Sequence, residues 1–187
     1  MIILLVLCLA ALLWAIYIYN TLVQQKNQVK EGWSGIDVQL KRRYNLIPNL
    51  VDTVKAYASH ESNVFREVTE LRTKTEQTND IHDKAQLESA LSLGLAKLIA
   101  IAENYPNLKA NENFIQLQQE LSNIEDQIQL ARRYYNGTAR DYNTTIESFP
   151  QMIIANLFRF GPFDYFAVDN ETERELPRVD FTKEKQK

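Results

Sequence analysis

Residues 19–61, YNTLVQQKNQVKEGWSGIDVQLKRRYNLIPNLVDTVKAYASHE, decide the fold. An apolar run ends here and an amphipathic helix continues from it without punctuation. Leu22, Val29, Trp33, Ile36, Leu40, Tyr44, Ile47, Val51, Val54 and Ala58 recur at threes and fours, apart from one seven. That is the stripe of a helix packed along one face, and no strand pattern fits it. Gly32 and Gly35 weaken the helix, each by about 1 kcal/mol relative to Ala. Pro48 removes the bond to the Tyr44 carbonyl and is expected to kink the helix. No turn residues accompany Pro48, so one kinked helix over about 20–74 is expected in place of a hairpin. The stripe fades after Leu71 into the polar loop TKTEQTNDIHD.

Upstream, every residue from Ile2 to Ile18 is apolar or aromatic, and the first charged side chain is Lys26. A helix of about 20 such residues crosses the hydrocarbon core of a bilayer. Trp14, Tyr17 and Tyr19 lie where aromatic rings favour the headgroup layer. The run lacks a basic leader and a small-x-small site, so residues 1–19 read as an uncleaved anchor that meets lipid through 2–18. Lys26, Lys30, Lys41, Arg42 and Arg43 follow it. By the positive-inside tendency they place the following domain in the cytoplasm, with the periplasmic or extracellular side as the alternative.

Downstream, a second helix is expected over 83–104, with Leu87, Leu91, Leu95, Leu98 and Ala102 inward and Pro106 beyond its end. A third spans 111–149. Phe114, Leu117, Leu121, Ile124, Ile128, Ala131, Tyr135, Thr138, Tyr142, Thr145 and Phe149 form its seam, of the kind that packs in bundles. A short helix over 151–158 and a charged, mostly irregular tail over 164–187 complete the chain. The expected fold is all-α: an elongated antiparallel helical bundle over 20–163 behind one N-terminal transmembrane helix.

The totals agree with that class and exclude others. The 187 residues carry a net charge of −3 and only five Gly and five Pro. Few breakers favour helices, and the weakly acidic balance gives no basic face for nucleic acid. Cys8 is the single cysteine and lies inside the apolar run, so no intramolecular disulfide is available.

Several blocks make the chain resemble the LemA family of bacterial membrane proteins. The first is Trp33-Ser34-Gly35-Ile36-Asp37-Val38-Gln39-Leu40-Lys41-Arg42-Arg43, with Leu46-Ile47-Pro48-Asn49-Leu50-Val51 and Tyr57-Ala58-Ser59-His60-Glu61. The others are Tyr105-Pro106-Asn107-Leu108-Lys109-Ala110-Asn111-Glu112-Asn113-Phe114, Ala131-Arg132-Arg133-Tyr134-Tyr135-Asn136, Tyr142-Asn143, Phe149-Pro150 and Pro177-Arg178-Val179-Asp180-Phe181. Ile124-Glu125-Asp126-Gln127 stands where the family often has Thr-Glu-Asn-Arg. The resemblance implies a bundle behind one anchor in the bacterial cytoplasmic membrane. It brings no catalytic activity and no cofactor. Through family neighbourhood it points to a membrane zinc metalloprotease of the HtpX type, and through a related branch to magnetosome membranes.

The residues themselves offer little chemistry. Bundle metal sites need Glu-x-x-His pairs on facing helices, and neither His60 nor His82 has a carboxylate three residues before it. No phosphate loop, zinc spacing or activated nucleophile is visible. No catalytic, metal or cofactor residue is therefore expected, and the chain reads as a non-enzyme. Asp37 and Lys41 are placed for a surface pair. Asp37 also flanks the first seam, while Gln118, Glu125 and Arg132 flank the third-helix seam every seven residues. Polar groups so placed can pair across helices and set register.

The candidate structural and interaction residues are Trp33, Asp37, Arg42, Arg43, Pro48, Glu125, Arg132, Tyr135 and Phe149. Phe149, Phe158, Phe160, Phe163, Tyr165 and Phe166 are expected to cap the bundle core, or else to form an apolar patch for self-assembly or a partner. The functional reading is a non-enzymatic, membrane-anchored interaction or scaffold protein that self-associates. The alternative is an adaptor or regulator of a membrane protease.

Overall fold

The computed structural model describes residues 1–167, and among these every regular element is helical. Helix α1 runs from Ile2 to Lys55, α2 from Ser62 to Gln77, and α3 from Ile81 to Glu103. A short α4 covers Pro106–Lys109, α5 spans Glu112–Glu147, and α6 spans Gln151–Leu157. Chain positions 168–187, including the Pro177-Arg178-Val179-Asp180-Phe181 block, lie outside the described residues.

Helix α1 is the spine. Its first part is apolar and exposed, and is long enough to cross a membrane. From Ile18 onward it buries Leu22, Val29, Ile36, Leu40, Tyr44, Ile47, Leu50 and Val54. The partner along most of that stripe is α5, which buries Phe114, Leu121, Ile124, Ile128, Tyr135, Ala139, Tyr142 and Ile146. The seam thus moves off Thr138 and Thr145 onto Ala139 and Ile146, which keeps the hydroxyls at the margin. Trp33 meets Tyr135 and Arg43 meets Glu125, so the two helices run antiparallel. Gly32 makes close approach possible here. A Cβ built on it would lie 3.1 Å from the Tyr135 Cα.

A single helix over 20–74 is not what forms. The chain bends at residues 56–61, and α2 turns back along α1. Tyr57 and Ala58 both donate to the Val54 carbonyl, at 3.0 and 2.9 Å, and tighten the last turn before the bend. Val54, Ala58, Phe65, Val68 and Thr75 are all buried at spacings of four, seven, three and seven. The apolar stripe keeps its phase through the bend, so periodicity alone reads it as one helix. Pro48 lies inside α1, which is continuous across it.

Helix α3 packs mainly on α2, with Gly94 against Val68 and Leu71, and more lightly on α1. Side-chain caps start α3 and α5. Asp80 accepts from the Asp83 amide at 2.9 Å, and Asn111 from the Phe114 amide at 3.1 Å. The far half of the bundle is therefore α1, α2, α3 and α5. The half nearer the apolar run is α1, α5, α6 and the extended segment 160–167.

Candidate functional site

The far half is open along one seam. Between α3 and α5 lies a groove of ≈ 720 Å³, bordered by Ser89, Ser122, Asp126 and Gln129 among others, with Arg43 and Glu88 in its floor. Arg43 comes from α1, and its stem lies beside the apolar stripe while its head crosses to the two other helices. It is 1% exposed. Its Nη1 donates to Ser92 Oγ at 2.9 Å and to Glu125 Oε1 at 2.6 Å. Its Nη2 forms an ion pair with Glu88, which also accepts from the Tyr44 hydroxyl. The Arg43 Nε has no hydrogen-bond partner among the described residues.

One guanidinium thus ties α1 to α3 and to α5 across a seam that apolar packing leaves unfilled. Charged groups in such a place persist only when paired. Burial pushes the Tyr44 phenol up to about 12, because the phenolate would lose its solvation; nearby Arg43 opposes this. The phenol therefore stays a donor to Glu88.

The near half holds a second polar device. The side-chain amides of Asn136 and Asn143 each grip the extended segment at both ends of a peptide group pair. Asn143 donates to the Phe163 carbonyl at 2.8 Å and accepts from the Phe163 amide at 2.9 Å. Asn136 does the same with Phe166, at 3.1 and 2.9 Å. The Tyr135 hydroxyl donates to the Asp164 carbonyl at 2.7 Å. Burial, and then the Asp164 charge, push the Tyr135 phenol up to about 12; burial also raises Tyr142. Phe166 is buried against Trp33, and Phe163 packs on Tyr142.

The candidate residues fall into several places. Arg43 and Glu125 meet in the buried network. Trp33 and Tyr135 meet 5.5 Å apart in the aromatic seam, and Arg132 lies 5.2 Å from the Phe166 ring centre. Asp37 pairs at 2.7 Å with Lys41 on its own helix and makes no cross-helix ion pair among the described residues. The Asp37 hydrogen bond raises the Lys41 pKa. Arg42 is exposed and, among the described residues, its side chain reaches Gln39 alone. Phe149 is 78% exposed and caps nothing among the described residues, because the chain turns away at Pro150 before its ring can pack.

Glu88, Ser92, Asn136 and Asn143 escaped the sequence reading. Glu88 sits where the α3 stripe Leu91, Leu95, Leu98, Ala102 extends back by three, but apolarity selects Leu87 instead. The repeated Tyr-Asn pairs at 135–136 and 142–143, seven apart beside the seam, were the visible signal for the amide clamp.

The sequence is similar to those of several known proteins. Protein LemA of Metamycoplasma hominis is 27% identical over 169 residues, covering 86% of this chain and 72% of the relative. Magnetosome protein MamQ 2 of Paramagnetospirillum magneticum and magnetosome protein MamQ of Magnetospirillum gryphiswaldense are 26% and 25% identical over 174 residues. Those alignments cover 79% of this chain but only 64% of each magnetosome protein, under two thirds of its length. None of these names carries an enzymatic activity. The LemA family model matches residues 32–181, from the close-packed Gly32 through the network and the clamp, and the chain belongs to the LemA family.

Proposed function

We propose that this protein is a membrane-anchored, non-catalytic interaction platform whose α3–α5 groove receives a segment of a partner chain. The observation that carries the reading is the open seam itself. Three helices are locked together by Arg43, yet α3 and α5 leave ≈ 720 Å³ between them, lined by serine, glutamine and acidic side chains and Arg132, with apolar residues such as Leu95, Ile99 and Ile128 among these. Such a lining offers donors and acceptors for a peptide segment, and a rigid floor lowers the ordering cost of binding it. Relatives named as magnetosome proteins support a role in a membrane-bound assembly. A second copy of the chain is the first partner to test. The Lys and Arg residues after the apolar run support a cytoplasmic position for the bundle.

Photo-crosslinking side chains at Ser122 and Gln129 of the full chain, in bacterial membranes, test this against outward positions such as Arg66. Adducts of twice the chain mass from the groove positions assign self-assembly. Adducts with a membrane protease assign an adaptor instead. Groove positions that crosslink no more than Arg66 overturn the proposal.

A further inference from the structure

We propose that α6 is a second membrane contact, lying in the headgroup layer beside the exit of α1 with its outer face in contact with lipid. This rests on the reading of the apolar run as a bilayer anchor. Three observations carry it.

The first is position. Because α5 runs antiparallel to α1, its end brings α6 back to the start of the bundle. Phe158, at the end of α6, packs edge-on against Tyr19 at 4.8 Å, and Phe160 lies 5.7 Å from the same ring. Tyr19 is one residue beyond the apolar run. Ile18 and Leu22 of α1 share the buried core with Ile154 and Ala155 of α6.

The second is composition. From Phe149 to Phe158, FPQMIIANLF, there is no charged side chain. Ile154 and Ala155 face the bundle. The opposite side nevertheless presents Ile153, Leu157 and Phe158, at 53%, 69% and 55% exposure, with Met152 and Phe149 also exposed. An apolar face of that kind has no reason to meet water, whereas an interfacial helix buries such a face about 5–10 Å into the acyl boundary.

The third is continuity. The exposed apolar surface of α1, from Ile2 to Tyr17, continues through the exposed Tyr19 ring to Phe158 of this patch, so one solvent can cover both. Just above, Lys26 stands 5.5 Å from the Phe160 ring centre, which places the first positive side chain at headgroup level. Two attachments, a spanning helix and a surface helix, would fix the tilt of the bundle on the membrane where one would leave it free to swing.

The test uses the full chain in phosphatidylcholine–phosphatidylglycerol vesicles. In a Cys8→Ser background, single cysteines replace Ile153, Leu157, Val6 in the run, or Asn63 on α2, and carry an environment-sensitive fluorophore. Lipids bearing nitroxides on their acyl chains then quench the probe. The expected result is quenching at 153 and 157 at least half as strong as at 6, with none at 63. Quenching at 6 alone overturns the proposal. Probes at 153 and 157 that are shielded from aqueous iodide but unquenched by lipid assign the face to a second copy, and also overturn it. If position 6 is unquenched as well, the anchor reading fails and takes this inference with it.

Discussion

Arg72 on α2 donates from Nε to the backbone carbonyl of Tyr44 on α1 at 2.8 Å. Tyr44 lies four residues before Pro48, so its carbonyl is the one that proline leaves without an intrahelical donor. The fold thus repairs its own helix defect with a side chain from the segment that folds back over it. The same contact fixes where α2 lies on α1. A donor that is charged and partly buried here contributes about 1.5–3 kcal/mol.

Arg72→Ala should therefore lower the stability of the full chain by about that amount, read by denaturant unfolding in detergent micelles. In a Pro48→Ala background the new amide takes the carbonyl, and removal of Arg72 should then cost only the surface pair with Glu76, at 3.6 Å. A coupling energy above about 1 kcal/mol in the double-mutant cycle is expected. Equal costs in both backgrounds would show that the repair is incidental.

The pairing of Arg43 with Glu88 makes a second prediction with two opposite arms. Removing one partner strands a buried charge, so Arg43→Ala should cost about 3–5 kcal/mol. Replacing both, as Arg43→Met with Glu88→Met, restores apolar filling and should recover most of that loss. The double variant reports whether the network stabilises the fold or chiefly selects one helix register. Recovery of stability with lost groove crosslinking would assign the network to shaping the site. If Arg43→Ala is neutral, the network is peripheral to both.

The all-α class and the two main seams were legible because α1 and α5 carry long stripes at helical spacing, and because burial at that spacing admits only helices. The bend at 56–61 was not, since Ala58 continues the stripe in phase and no Gly or Pro marks the turn. Tertiary packing of α2 on α3, not local propensity, sets it. The candidate site was half legible. Glu125 stood out as a charge beside the third-helix seam, and Arg43 only as one member of the basic run on the first helix. Glu88 did not, because a buried glutamate is recognisable only by its partners, and Asp37 drew attention that belonged to Arg43. Phe149 misled because heptad spacing continues through it while the backbone does not.

Gly32 and Gly35 offer a matched pair within one helix. A Cβ at Gly32 meets the Tyr135 Cα at 3.1 Å and the Tyr134 ring at 3.3 Å, whereas one at Gly35 meets nothing within 4 Å. Gly35→Ala should raise stability by up to about 1 kcal/mol through helix propensity alone. Gly32→Ala has the same propensity gain but must push α5 away along its backbone, and overpacking of this kind costs about 1–3 kcal/mol. The two variants should move the unfolding midpoint in opposite directions. A shift of the same sign would mean that α5 yields freely at Tyr135, and that Gly32 does not set the helix separation.

Asn143 holds Phe163 through two hydrogen bonds that no other side chain type makes from the same place, since one amide must donate and accept together. Asn143→Asp keeps the acceptor but turns the donor into a second acceptor, facing the Phe163 carbonyl. It should release the segment as fully as Asn143→Ala does. The loss reads out as faster hydrogen exchange at the Phe163 amide, by roughly tenfold for about 1.4 kcal/mol of local opening. Because Asn136 grips Phe166 independently, single variants at Asn143 should loosen Phe163 more than Phe166, and the Asn136–Asn143 double variant should expose the buried Phe166 ring. Asn143→Ala that leaves exchange at Phe163 unchanged would place the holding force in the aromatic contacts with Tyr142 and Trp33 instead, and the repeated Tyr-Asn pairs would then matter for their tyrosines alone.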